Sequence, residues 1–421
     1  VYTKKNDREK RRIFRFFSEK TPENDFLTHE RNKIFMKKTL CMLLTAAMLL
    51  AAAGCAKKDE NPDTKDQNGG QGNDQNTETE YTLPDVVLTD YDKKTVMTIG
   101  GKDISASLYR YYLLNLRSQY DGGNSAMWDN NEMSDYVEQQ VVSYLKEYAA
   151  AEVMADNLSI TVSDDDKKAL DNYIAQVIAK IDKEENTSYA AELESANMTD
   201  AMFRALQDNS LIQSQIYVNK YQGTATDEQI LDYVHENYVR VKHILIKTVD
   251  LDDEQKAEAR SRADNVLERA KNGENFEDLV KEYSEDGMDP DTGYYFTTGQ
   301  MVQEFEDKSF DLAEGEISDI VESKYGYHII KKYAMDDDYI LSDETLRSAA
   351  EDSICEEVFR TALSEVADTL EVVYADDFEA TREKILLDNE AKNNASDENA
   401  ENAAGHDHPD TPDASDEGTE K

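Results

Sequence analysis

The chain has 421 residues, of which 90 are acidic and 46 basic, for a formal net charge of −44. That balance excludes a nucleic-acid binder working through a basic surface and argues against electrostatic adhesion to anionic lipid. With 39% hydrophobic and 32% charged residues, part of the chain should be solvated while the rest is long enough for two or three cored domains, and three cysteines exclude a disulfide scaffold or a four-cysteine zinc site.

Residues 1–35 are basic and irregular, and they precede Met36. The simplest reading is an upstream extension from a start codon assigned too early, with a genuine N-terminal extension as the alternative. Lys37 and Lys38 then lead into an apolar run from Leu40 to Ala53 that is too short to span a membrane comfortably and ends in small residues. These are the marks of a signal peptide over residues 36–54. Its ending, Ala52-Ala53-Gly54-Cys55, resembles a bacterial lipobox, which makes Cys55 the expected lipidated first residue of the mature chain. Residues 55–94, rich in Asp, Asn, Gln, Gly and Thr, read as a flexible tether. About 35 residues of such composition reach roughly 30 Å.

The first folded stretch, residues 95–237, opens with two apolar-containing runs around Gly100-Gly101, a hairpin pattern. Ser105 can cap the helix after it, in which Leu108, Tyr111, Tyr112 and Leu116 recur at helical spacing. Further helices are predicted over about residues 134–154, from Ser163 past Ile181, and over 199–221. Thr226 with Gln229 has the spacing of a capping box opening one more.

Residues 238–334 change character. V-R-V-K-H-I-L-I over residues 239–246 reads as a buried strand. Residues 253–270 present Ala259, Ala263, Val266 and Leu267 on one helical face, and Asn272-Gly273 ends that helix. Phe276, Leu279, Val280 and Tyr283 mark a short second helix. A loop passes Gly287, Pro290 and Gly293, and the stretch closes on a strand containing Y-G-Y-H-I-I-K-K-Y. The order β-α-α-loop-helix-β predicts a small α+β domain with its sheet open on one side. Residues 342–375 then give one more helix, with Ser342 as its expected cap, and residues 379–421 read as a disordered acidic tail.

Five motifs in order, H-I-L-I, N-G-E-N-F-E-D-L-V-K-E-Y-S-E-D, F-T-T-G-Q-M-V-Q-E-F-E-D-K-S-F, L-A-E-G-E-I-S-D-I-V and Y-G-Y-H-I-I, make residues 238–334 resemble the parvulin-type peptidyl-prolyl isomerases. A lipobox before this domain and helices on both sides of it resemble the PrsA-type foldase lipoproteins and the SurA-type chaperones. The fold class implied is α+β: a parvulin-like isomerase domain, a small antiparallel sheet with helices, inserted in a mostly helical SurA-like chaperone domain. Residues 335–378 would supply the C-terminal helix that completes the chaperone domain. The activity implied is peptidyl-prolyl cis-trans isomerisation, with no cofactor and no metal. The resemblance places the polar cluster at His243, Asp286 and His328, the proline pocket at Met301 and Phe305, and Tyr325 at its border.

Each of these residues alone has an ordinary structural explanation. A histidine on an apolar strand is usually a satisfied core residue, Met301 and Phe305 at i and i+4 read as helix core, and Asp286 as a turn residue. Only the joint pattern points to a site. Turning an X-Pro bond requires passing a twisted amide about 18–20 kcal/mol up, so a site need only seat the proline ring and favour the twisted amide electrostatically. Relatives commonly carry G-G-D-L-G before the F-x-x-G-Q-M motif. Here the run is D-P-D-T-G-Y-Y-F, with Gly293 or Tyr294 where the pocket leucine belongs. The loop of residues 247–253 is acidic apart from Lys247, which argues against a phosphoserine-proline substrate.

The leading expectation is an enzyme anchored by lipid on the extracytoplasmic face of the cell membrane. Its expected partners are unfolded or partly folded exported proteins with X-Pro bonds and the membrane itself, with nucleic acid excluded and a homodimer left open. The alternative is a holdase chaperone whose parvulin domain is inactive. A surface adhesion lipoprotein comes third, because it has no need of the five-motif domain.

Overall fold

A computed structural model describes residues 83–121, 127–128, 131–183 and 187–404. The upstream extension, the signal peptide, Cys55, most of the tether and residues 405–421 of the tail lie outside the described residues. Those described divide into two compact units. One holds residues up to Val153, Thr161–Ser214 and the chain from Leu370 on; the other holds Met154–Ile160 and Gln215–Thr369.

In the first unit, β1 (Thr95–Ile99) and β2 (Lys102–Ser105) form the expected hairpin, followed by α1 (Ala106–Asp121), α2 (Asn131–Leu158), α3 (Asp164–Ile181), α4 (Tyr189–Ser195) and α5 (Asp200–Lys220), the ends of α2 past Val153 and of α5 past Ser214 belonging to the second unit. Ser105 Oγ accepts the Leu108 amide hydrogen at 3.2 Å, and Ser163 caps α3. The core gathers Ile99, Ile104, Tyr109, Leu145, Ile174 and Phe203. Two expectations fail in this unit. Residues 83–94, predicted as the end of the tether, are held on the fold. Asp92 Oδ1 accepts the hydroxyl hydrogens of Ser107 and Thr199, both at 2.6 Å, and Leu83 and Tyr91 pack on the core. Nor are residues 379–404 disordered. β7 (Val372–Tyr374) pairs with β1, completing the sheet order β2-β1-β7, and α12 (Phe378–Ala404) follows. Phe378 and Ile385 are buried in the core, and Phe378 sits edge-on to Tyr109 with ring centroids 5.2 Å apart. A few apolar side chains per turn anchor the start of this helix despite its acidic composition.

The second unit contains α6 (Asp227–Asn237), opened by the Thr226–Gln229 capping box, and α10 (Asp337–Ser342) and α11 (Glu344–Thr369). Ile230, Val234, Ile340, Leu346 and Ala350 form their shared core. The cap of α11 is Asp343, whose carboxylate accepts the Leu346 amide hydrogen at 2.8 Å, rather than Ser342, which ends α10. α11 also sets Phe359 against Tyr217 and Tyr221 at the end of α5.

The same unit carries a four-stranded antiparallel sheet in the order β4-β3-β6-β5, from β3 (Tyr238–Lys247), β4 (Tyr294–Thr297), β5 (Val321–Ser323) and β6 (Gly326–Tyr333). Alternation along β3 divides its two faces. Ile244 and Ile246 turn to α7 (Asp253–Lys271) and α8 (Phe276–Tyr283), and pack with Ala263, Phe276 and Ile329. Val239 and Val241 turn to the other face, where α9 (Gln303–Asp311) contributes Phe305 beside Phe296 and Ile330.

Candidate active site

His243 and His328 come together because β3 and β6 pair antiparallel with His243 opposite Ile330 and Leu245 opposite His328. The two histidines are diagonal neighbours on one face, within reach of each other across the strands. Their rings stack with centroids 5.4 Å apart and planes at 15°, and their Nδ1 atoms lie 3.2 Å apart. Both are buried, at 3% and 4% exposure.

Asp286 reaches them through backbone chemistry. β4 pairs with β3 only along residues 238–241, leaving the far end of β3 with a free edge. The loop after α8 takes that edge. Ser284 Oγ accepts the Leu245 amide hydrogen at 3.2 Å, the Glu285 amide donates to Leu245 O at 2.8 Å, and Glu285 Oε2 accepts the Lys247 amide hydrogen at 2.8 Å. The next residue, Asp286, is thereby set beside His243, whose Nε2 donates to Asp286 Oδ2 at 2.8 Å.

Two further members extend the cluster. The Tyr294 hydroxyl donates to the same Asp286 oxygen at 2.8 Å, and Ser323 Oγ lies 2.7 Å from His328 Nε2. Ser323 Oγ also accepts the Tyr325 amide hydrogen at 3.1 Å. One placement of hydrogens satisfies the whole chain. Tyr294 and His243 Nε2 donate to Asp286, His328 Nδ1 donates to His243 Nδ1, and Ser323 donates to His328 Nε2. The electrostatics agree with it. The His243 and Tyr294 donors hold the Asp286 carboxyl well below the usual carboxylate range against its partial burial. Burial pushes His328 down to about 4, helped by the neighbouring His243, and Tyr294 is pushed up to about 12 by burial and then by Asp286.

Phe305 stands edge-on to both imidazoles, with centroids 4.9 Å from His243 and 5.3 Å from His328, and at 3% exposure it is a floor rather than an open wall. Met301 is half-buried and packs on the same apolar cluster. The turn that carries Met301 is clamped by Glu306, a buried carboxylate on α9 whose Oε2 accepts the amide hydrogens of Gly299 at 2.8 Å and Met301 at 3.4 Å. Tyr325 stands apart from these. The residue is 46% exposed, with the Lys324 ammonium 5.1 Å from its ring centroid, and it joins the cluster only through its backbone N–H on Ser323.

The altered loop has a geometric basis. Gly293 has φ +80, its amide donates to Asp289 O at 2.8 Å, and a Cβ there would meet Val241 O at 2.5 Å. Only glycine lets β4 begin so close to β3, and that start delivers Tyr294 to Asp286. Ser323 and Glu306 were not foreseen from sequence. Ser323 is one small polar residue in a turn, and Glu306 resembles any acidic residue in the first turn of a helix.

Residues 228–334 match the family described as the PPIC-type PPIase domain, and residues 85–217 match the SurA-like N-terminal domain. The chain thus carries a SurA-like N-terminal domain followed by a PPIase domain of the parvulin type. Among the most similar proteins is the foldase protein PrsA of Geobacillus kaustophilus, 30% identical over 193 residues that cover 44% of this chain and 63% of that one. The foldase protein PrsA of Caldanaerobacter subterraneus subsp. tengcongensis is 28% identical over 255 residues, covering 56% and 72%. Among solved structures, that of NmPin, the parvuline of Nitrosopumilus maritimus, is 39% identical and covers 23% of this chain and 97% of its own, with a TM-score of 0.19.

Proposed function

We propose that the protein is a membrane-anchored, extracytoplasmic peptidyl-prolyl cis-trans isomerase that assists the folding of exported proteins. The observation that carries this reading is the buried His243–His328 pair fixed by Asp286 over an aromatic floor, Phe305. Such a cluster offers preorganised polarity and an apolar surface without a nucleophile, which is what rotation about an X-Pro amide requires. The parvulin-type domain and the foldase name of the relatives support the same reading. His243, Asp286 and His328 act as the polar cluster, Met301 and Phe305 floor the proline site, and Tyr325 borders it.

Anchoring rests on the sequence ending in Cys55. One acylated cysteine carrying several chains suffices for stable attachment. Among the described residues no helix is long and apolar enough to cross a membrane. On this reading the SurA-like part and the helices after the isomerase domain grip the client while the inserted domain turns its prolines.

Two measurements test the proposal. In a protease-coupled assay the full chain should accelerate cis-to-trans conversion of an Ala-Pro or Leu-Pro peptide. No acceleration on any such peptide, with aggregation of an unfolded client still suppressed, would leave a holdase instead. Cys55→Ser should release the protein from the membrane fraction; unchanged fractionation defeats the anchor.

A further inference from the structure

We infer that Tyr294 is a positioning residue of this site: sharing one oxygen of Asp286 with His243, its hydroxyl locks the carboxylate and, through it, the tautomer of the histidine pair. The inference rests on the isomerase reading and deepens it.

Both donors reach Asp286 Oδ2 at 2.8 Å. The carboxylate cannot turn to offer His243 another oxygen without abandoning the phenol. The Tyr294 ring stands beside His243, with centroids 5.7 Å apart, and packs with the apolar clusters on both faces of the sheet. It opens β4 opposite Val241, directly after the close approach of Gly293 to that residue's carbonyl oxygen. The ring is thus packed on both sides, and its hydroxyl makes one hydrogen bond, to Asp286.

The consequence runs along the chain of hydrogen bonds. A fixed, charged Asp286 requires a hydrogen on His243 Nε2. With that as the ring's one hydrogen, His243 Nδ1 is an acceptor, His328 must carry its hydrogen on Nδ1, and His328 Nε2 takes the Ser323 hydroxyl hydrogen. The reversed arrangement would aim the His243 Nε2 lone pair at the carboxylate, and two acceptors face to face repel. Burial keeps the phenol protonated, so it stays a donor across the working pH range. An oxygen relieved of one of its two donors binds its proton more readily and swings more freely, and the tautomer is then no longer imposed.

Tyr294→Phe removes the hydroxyl and keeps the ring. In the full chain, long-range proton–nitrogen spectra of the histidines should show a single Nε2–H tautomer at His243 in the wild type and averaged ring-nitrogen shifts in Tyr294→Phe. Turnover (kcat) on an Ala-Pro peptide should fall about 10-fold, as expected for one hydrogen bond to a charged group, with KM little changed and the acid limb of the rate profile moved to higher pH. In an Asp286→Ala background the same substitution should add nothing further, since the two residues act as one unit. If Tyr294→Phe loses structure, Tyr294→Leu makes the same test and should give the same averaging. A tautomer and a rate left at wild-type values would overturn the inference. Absence of isomerase activity in the wild type counts against the isomerase reading alone, because the spectra report on Tyr294 without turnover.

Discussion

Replacing Asp286 by asparagine tests the core of the site while preserving its shape. The carboxylate accepts two hydrogen bonds at one oxygen, from His243 and from Tyr294, both at 2.8 Å. Hydrogen bonds to a charged group contribute about 1.5–3 kcal/mol each, and neutral ones about 0.5–1.5. An amide oxygen can keep both donors at the weaker value, so stability at neutral pH should fall by about 1–3 kcal/mol. The sign with pH follows from the depressed carboxyl of Asp286. Its contribution is fully present above the unfolded value near 3.9 and is lost as the pH falls through the lower folded value. The gap in urea midpoint between wild type and Asp286→Asn should therefore be constant from neutral pH down to about 5 and close in stronger acid. Turnover should suffer more than stability, because the amide no longer imposes one tautomer on the histidine pair. We expect kcat/KM on an Ala-Pro peptide to fall about 10- to 100-fold, equivalent to about 1.4–2.7 kcal/mol of transition-state stabilisation. A variant with turnover within about twofold of wild type and an unchanged urea midpoint would refute the role given to the carboxylate.

The other predictions follow from particular contacts. His328 is held down to about 4 by burial, so the unfolded chain takes up its proton first. Stability should fall as the pH drops from about 6.5 towards 4, by about 3 kcal/mol in all, and His328→Gln should flatten that part of the profile in urea titrations. Gly326 has φ +147, and a Cβ there would meet Ile246 O at 2.1 Å; Gly326→Ala should cost more than about 3 kcal/mol, whereas Gly315→Ala, with φ +81 and nothing within 4 Å, should cost only about 1. Glu306→Gln loosens the turn bearing Met301 and should raise KM about fivefold with kcat nearly kept, since on the proposed reading that surface would meet the proline in ground and transition states alike. A phosphoserine-proline peptide should be turned over more slowly than its unphosphorylated counterpart, because the loop of residues 247–253 is acidic apart from Lys247.

Much of the fold was legible where periodicity and caps agree. The capping box at Thr226, the helix beginning near Ser163 and the buried strand β3 were all written in short-range pattern. What escaped was written at long range. Asp92 looks like tether until Ser107 and Thr199 are folded beside it. The start of α12 looks like acidic tail because Phe378 and Ile385 gain their burial only from a core built by distant residues. In the site, the histidines were legible as two polar residues on two apolar strands, whereas Asp286 depends on Ser284 and Glu285 pairing with the free edge of β3. Nothing local in D-P-D-T-G-Y-Y-F says that Gly293 brings a phenol to that carboxylate; the departure from the family pattern marked the position without giving its chemistry.

The arrangement of donors also narrows what kind of catalyst the site can be. Every ring nitrogen of the two histidines is within hydrogen-bond distance of a protein partner: Asp286, the other imidazole or Ser323. No lone pair remains to attack an amide carbon. Asp286, held charged by two donors, is a poor base at neutral pH, and His328, held neutral by burial, is a poor acid there. Proton transfer to or from the substrate is thus disfavoured by the same interactions that make the cluster stable. Amide rotation needs neither. As the C–N bond twists, its resonance is lost and the carbonyl and nitrogen approach the polarity of a ketone and an amine. On the proposed reading, seating the proline on the apolar Phe305 floor takes the amide out of water and so favours that less polar, twisted form over the planar amide, which water solvates best. The chain's departures in sequence, Gly293 and Tyr294, add an uncharged donor to the cluster, the Tyr294 hydroxyl giving its hydrogen to Asp286 at 2.8 Å.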